Sequence, residues 1–203
     1  MTKPMTQLVL ASNNSGKLTE FQACFAPLSI QLLPQAQFQV AECAEPYHTF
    51  IENALTKARH ASRISGLPAL ADDSGICAAA LGGLPGVYSA RYAGDNPKSD
   101  AANNAKLSAE LSKKTDKNVY YYCVLILTRH ENDPQPLIAD AVWHGVWQTE
   151  AAGRGGFGYD PHFYLPEYGK TAAELSAAEK NRVSHRGQAL AALMNKLKAA
   201  ETP

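Results

Sequence analysis

The chain opens its pattern with Gln7–Ala11, a short apolar run that reads as a strand. A small polar turn follows, Ser12-Asn13-Asn14-Ser15-Gly16-Lys17, and then a helical pattern through Phe21 and Phe25. Ser29–Pro34 reads as a second strand, and Gln35–His48 as an irregular loop carrying Glu42 and Glu45. Thr49-Phe50-Ile51-Glu52 is a capping box, in which Thr49 caps the coming helix and Glu52 reaches back to the cap. That helix runs through Asn53, Lys57 and Arg59 to a stop at Gly66 and Pro68. Asn53 and Lys57 stand at i and i+4, so they share a face. Leu67–Ala71 then reads as a short buried strand ending at Asp72-Asp73-Ser74-Gly75, with Ile76–Leu81 as a further strand beyond it.

Gly82–Gly94 is a loop rich in glycine and aromatic residues, and it holds Arg91, which suits an acid or a phosphate equally. Asp100–Lys113 has the modest apolar stripe of a surface helix. Val119–Thr128 is almost continuously apolar, as a strand buried on both faces would be. A turn over Glu131–Pro136 joins it to a strand with Leu137, Ala139, Ala141, Trp143 and Trp147 on one face, which predicts a long antiparallel hairpin. Two short capping boxes, Thr171–Glu174 and Ser176–Glu179, precede Lys180 and Ser184-His185-Arg186-Gly187. Leu190, Leu193, Met194 and Leu197 give the last helix its docking face and put His185 and Arg186 in its first turn. Strands alternating with helices predict an α/β fold.

Composition narrows the function. With 203 residues the chain is long enough for one α/β domain over 1–203 with a full core, perhaps in two lobes. Lys+Arg and Asp+Glu balance at 19 each, so a nonspecific nucleic-acid binder is disfavoured and a phosphate ligand would be a small molecule. Cys24, Cys43, Cys77 and Cys123 form neither a C-x-x-C pair nor a metal spacing, which fits free thiols in a reducing compartment. Leu8–Ala11 is too short for the apolar core of a signal peptide and no run approaches a membrane span, so a cytoplasmic protein without membrane partners is expected.

Four stretches carry candidate chemistry. Adjacent Asp72 and Asp73 repel each other unless a cation lies beside them, and along a strand they point to opposite faces. Read alone, Asp-Asp-Ser-Gly is equally a solvated turn. The turn Ser12–Lys17 at a helix start is a plausible anion cradle, although Ala11 and Leu18 break the P-loop pattern. Gly153-Arg-Gly-Gly-Phe-Gly158 matches G-x-G-x-x-G, yet Tyr159-Asp160-Pro161 follows where a dinucleotide site needs a helix. His185 and Arg186 sit at a helix N-terminus, where the dipole disfavours cations unless an acceptor or anion is near.

Ser12–Lys17, Phe50–Arg59, Ala71–Ile76, Gly83–Gly94, Gly153–Phe163, Thr171–Leu175 and Glu179–Arg186 together closely resemble the inosine/xanthosine triphosphate pyrophosphatases, most nearly their bacterial branch. The stretches occur in the family's order and span nearly the whole chain. The resemblance implies a mixed β-sheet with flanking helices, two lobes around a central substrate cleft, and a homodimer. It implies Mg²⁺-dependent hydrolysis of ITP, dITP and XTP, non-standard purine nucleotides, to the monophosphate and pyrophosphate. By position, it makes Asp73 the general base and a metal ligand, Glu45 a second acidic ligand and Ser74 a substrate contact. Asp72 stays open between a metal ligand and a structural neighbour. Ser12, Asn13, Asn14, Ser15, Gly16, Lys17 and Lys57 correspond to the triphosphate cradle. Phe157, Gly158, Tyr159, Asp160, Lys180, His185 and Arg186 correspond to the base pocket.

Overall fold

Leu8, Val9 and Leu10 lose all contact with solvent, so the first apolar run becomes strand β1 (Gln7–Leu10). In the computed structural model, which describes residues 5–201, β1 pairs in parallel with both β2 (Gln31–Pro34) and β3 (Ala69–Ala78). The side chains of Ser15, Gly16, Glu20, Ala23, Cys24, Ala200 and Glu201 lie outside the described residues. Parallel neighbours need crossovers. Helix α1 (Ser15–Phe25) makes the first and α2 (Phe50–Ser65) the second. Asn14 caps α1 by accepting from the Lys17 amide at 3.0 Å, so the helix starts two residues before the lysine where the sequence pattern placed it. Thr49 caps α2 through the Glu52 amide at 3.2 Å, and Gly66 ends it in the left-handed conformation. Ala54, Ala58 and Ala61 form its buried stripe.

Strand β4 (Asn118–Thr128) follows helix α3 (Asp100–Ser112), and β5 (Leu137–Trp147) follows β4. The Trp147 amide donates to the Lys117 carbonyl at 2.8 Å, so the end of β5 meets the start of β4 and the pair is antiparallel. Arg129 and Asp133 close the connecting turn with a two-pronged ion pair. Two short strands, β6 (Phe163–Leu165) and β7 (Lys170–Thr171), add antiparallel pairs, and α4 (Ala177–Val183) and α5 (His185–Glu201) complete the chain. Among the described residues the strands form one mixed seven-stranded sheet, in the order β2-β1-β3-β4-β5-β6-β7. The architecture is α/β with flanking helices.

One reading changes. Asp72-Asp73-Ser74-Gly75 does not end a strand; β3 runs through it from Ala69 to Ala78, and Ala79–Leu81 is a 3₁₀ turn where a strand was expected. Lysine partners neutralise the two carboxylates, so the extended backbone can carry them through the interior.

The chain divides into two compact units. The first comprises Met1–Asp73, Val124–Asp140 and Ala189–Pro203, and the second Ser74–Cys123 and Ala141–Gln188. The second unit's core joins Ile76, Leu107, Leu111, Tyr121, Trp143, Trp147, Tyr159 and Phe163. Leu190, Leu193 and Leu197 of α5 are buried in keeping with their spacing. Among the described residues Cys43, Cys77 and Cys123 are free thiols, and Cys24 lies outside that description.

Candidate active site

The first unit holds a cluster of carboxylates and lysines. Asp72 and Asp73 are consecutive on β3, so they face opposite ways and meet lysines from different helices. Lys17 of α1 reaches the deeply buried Asp72 through its ammonium group. Lys57 of α2 lies 2.9 Å from Asp73 Oδ1 and 3.0 Å from Glu45 Oε1. Asn53, one helical turn before Lys57, donates to the Tyr47 carbonyl and accepts from the Tyr47 amide, each at 3.1 Å. That double bond fastens the loop that carries Glu45 beside the lysine.

Burial pushes the Asp73 carboxyl up to about 6; Lys57 opposes the rise, while Glu45 and Asp72 add to it. Burial alone would lower the Lys57 ammonium, but Asp73 and Glu45 outweigh it and hold its pKa above the ordinary lysine value. Asp73 Oδ2 is buried and accepts no hydrogen bond among the described residues. An orphaned carboxylate oxygen in an acid-rich setting is a position that a cation would satisfy. The described residues contain no cluster of three or more His, Cys, Asp or Glu side chains spaced to hold a metal ion. Magnesium needs few protein carboxylates, since it keeps several waters and takes the rest of its shell from phosphate oxygens. Asp73 and Glu45 therefore fit a magnesium site completed by a substrate.

At the head of α1, Ser12 Oγ accepts from the Asn14 amide at 3.2 Å, and Asn13 Oδ1 accepts from Gln35 Nε2 at 2.9 Å. These bonds fix the turn ahead of the helix N-terminus, whose partial positive charge favours an anion. Ser15 and Gly16 fall in the first turn of α1.

The second unit holds an aromatic and cationic cluster. Asp160 accepts from the Phe157 amide at 2.8 Å and from Tyr121 Oη at 3.3 Å, and it forms an ion pair with Lys180. Gly156 is required there: a Cβ on it would stand 2.1 Å from Asp160 Oδ2, at a positive φ of 72°. Phe157 remains half-exposed, with Lys180 Nζ 4.8 Å from its ring centre and the Arg186 guanidinium 6.0 Å away. Arg186 donates to Ser74 Oγ at 3.1 Å. His185 lies parallel to Tyr121, ring centres 4.6 Å apart and planes 6° from parallel. Gly187 completes the motif, because a Cβ there would strike the Asn181 carbonyl at 1.8 Å and force α4 from α5.

The structure thus gathers Asp73, Glu45, Lys57, Lys17 and Asp72 in one unit, and Phe157, Asp160, Lys180, His185, Arg186 and Ser74 in the other. Tyr159 turns inward, its buried ring donating from Oη to the Ser89 carbonyl at 2.7 Å. Gly158 is held by α3. Sequence reasoning did not single out Tyr121 or Trp143 beneath His185, because both sit in runs that read as plain core. The capping box before Lys57 was the usable signal for the α2 residues.

Fold and clusters together describe an α/β protein equipped for a polyanion: lysines held ready on carboxylates in one unit, a ring flanked by cations in the other. The Ham1 family profile matches residues 8–196, and the chain belongs to the Ham1 family. It is 68% identical over 193 residues to the dITP/XTP pyrophosphatase of Chromobacterium violaceum, covering 95% of this chain and 98% of that one. It is 64% identical to the protein of the same name from Neisseria meningitidis serogroup B, covering 97% and 99%. Among solved structures, a HAM1 protein from Coxiella burnetii superposes with a TM-score of 0.92 at 49% identity, covering 96% of this chain and all of that one.

Proposed function

We propose that the chain, acting over 1–203 as one functional domain, hydrolyses non-standard purine nucleoside triphosphates, ITP, dITP and XTP, to the monophosphate and pyrophosphate. The observation that carries this reading is the Lys57 bridge between Asp73 and Glu45 beside the unsatisfied Asp73 Oδ2. The names of the close relatives support the substrate class. In the reaction a water oxygen bonds to the α-phosphorus, the bond from that phosphorus to the oxygen bridging to the β-phosphorus breaks, and pyrophosphate leaves.

Asp73 takes the water's proton, and its pKa of about 6 lies close enough to neutrality for a positioned base. Lys57 and Lys17 exchange their carboxylate partners for phosphate oxygens and oppose the charge that builds on the leaving group. Asp73 and Glu45 would hold a divalent cation, Mg²⁺ by its preference for oxygen donors; when bound, it supplies positive charge against the pyrophosphate and acidifies water. Phe157 stacks on the base, and Lys180, His185 and Arg186 offer donors to its edge. Ser74 contacts the substrate beside Arg186. The α1 turn, Ser12 to Gly16, offers backbone and side-chain groups to the phosphates.

The protein functions as a cytoplasmic homodimer, as the family resemblance implies, without nucleic-acid or membrane partners. The balanced charge supports the first absence. For the second, no helix among the described residues is long and apolar enough to cross a membrane. Pyrophosphate release from ITP, dITP, XTP, ATP and GTP, with and without Mg²⁺, tests the activity. Sedimentation equilibrium tests the dimer. Binding of dITP without pyrophosphate release would make the chain a nucleotide sensor instead.

A further inference from the structure

Helix α3 lies far in sequence from the Gly-rich loop, yet it grips both backbone groups of one loop residue. The Gly158 amide donates to Asp100 Oδ2 at 2.9 Å, and Asn104 Nδ2 donates to the Gly158 carbonyl at 3.0 Å. Asp100 and Asn104 stand at i and i+4, so they form a two-point clamp on one face of the helix. Gly158 follows Phe157 directly, and on the other side the Phe157 amide is held by Asp160. The peptide groups flanking the ring are therefore fixed by two different elements, while the ring stays half-exposed.

The geometry points to Asp100 and Asn104 as positioning residues for Phe157: the clamp sets the height and tilt of the ring on which the purine stacks. This rests on the proposed nucleotide site and adds to it two determinants of base affinity outside the recognised motifs. A competing use of Asp100, as an acid in the first turn that merely favours the helix dipole, would not need the Gly158 amide at all. Nor does it explain the second bond from Asn104. Asn104 Oδ1 is buried without a partner among the described residues, so its amide is held there by the one bond to Gly158.

The test compares Asp100→Ala, Asn104→Ala, Asp100→Asn and Ser99→Ala by steady-state kinetics with dITP and by amide exchange at Gly158. Ser99 caps α3 through the Ala102 amide at 3.2 Å and does not touch the loop, so its variant reports helix stability alone. Each of the first two variants should raise KM about tenfold, the loss of one hydrogen bond on a folded loop, with kcat within about threefold. Gly158 should exchange faster in Asp100→Ala. Asp100→Asn keeps an acceptor oxygen and should restore most of the affinity. Unchanged KM and Gly158 exchange in both alanine variants would overturn the clamp, as would an equal KM rise in Ser99→Ala. Whether the wild type hydrolyses dITP judges the proposed function separately, since Gly158 exchange judges the clamp with any substrate or none.

Discussion

Lys57 stands between Asp73 and Glu45, its ammonium 2.9 Å from one carboxylate and 3.0 Å from the other. One oxygen of Asp73 is thereby occupied and the other, Oδ2, is left buried and unsatisfied. The lysine keeps the acid pair compatible with burial, and the free oxygen marks where a cation or a water would be held.

Asp73→Asn should lower kcat by about 10²–10⁴-fold while dITP binding changes far less, the range for loss of a positioned base. The amide keeps the shape and cannot take the proton. Turnover near wild type at saturating Mg²⁺ would remove Asp73 from the base role. A raised KM with intact kcat would make it a binding group only.

Lys17→Ala and Lys57→Ala should each weaken triphosphate binding more than monophosphate binding, because a lysine acts on phosphate as a point charge. Calorimetric titration with dITP and dIMP under Ca²⁺ or other non-turnover conditions measures the difference. Equal losses for both ligands would move that lysine from the outer phosphates to the α-phosphate or the base. Each substitution also leaves a buried carboxylate alone, Asp72 or Asp73, so lower stability is expected alongside.

Stability without metal should depend on pH through Asp73. Its folded pKa, about 6, lies above its ordinary value of 3.8, so the folded state holds a proton that the unfolded chain releases. The stabilisation is complete below about pH 4, fades as pH rises through 6 and is gone above it. A shift of about two units corresponds to about 3 kcal/mol. Urea unfolding of wild type and Asp73→Asn from pH 4 to 7, in chelator, isolates this group: the wild type should lose stability relative to the variant as pH rises. A relative gain would reverse the assignment of burial as the dominant cause.

Base choice should follow the donors around Phe157. Hypoxanthine and xanthine present a 6-oxo acceptor where adenine presents an amino donor, and Lys180 and Arg186 can only donate. Values of kcat/KM for ITP and XTP should exceed that for ATP by about 10⁴-fold, the scale set by a buried donor facing a donor. Arg186→Ala should narrow the ITP/ATP ratio. Comparable ATP and ITP turnover by wild type would defeat the specificity argument, and an unchanged ratio in the variant would confine Arg186 to holding Ser74.

What the sequence determined by itself was local. The Thr49–Glu52 capping box, the shared face of Asn53 and Lys57, the antiparallel hairpin and the apolar face of α5 all depend on residues a few positions apart, where helix and strand periods operate. The motif residues Asp73, Lys57, Phe157 and Arg186 were legible for the same reason, as short strings in a characteristic order. Only the tertiary structure decided their partners. It paired Asp72 with Lys17 and thereby let β3 continue through an acidic run that a local window reads as a turn. It laid Tyr121 under His185, and it brought α3 to Gly158. These contacts join residues more than fifty positions apart. Burial and strand register set them, and burial turns an ordinary carboxylate such as Asp73 into one that titrates near 6.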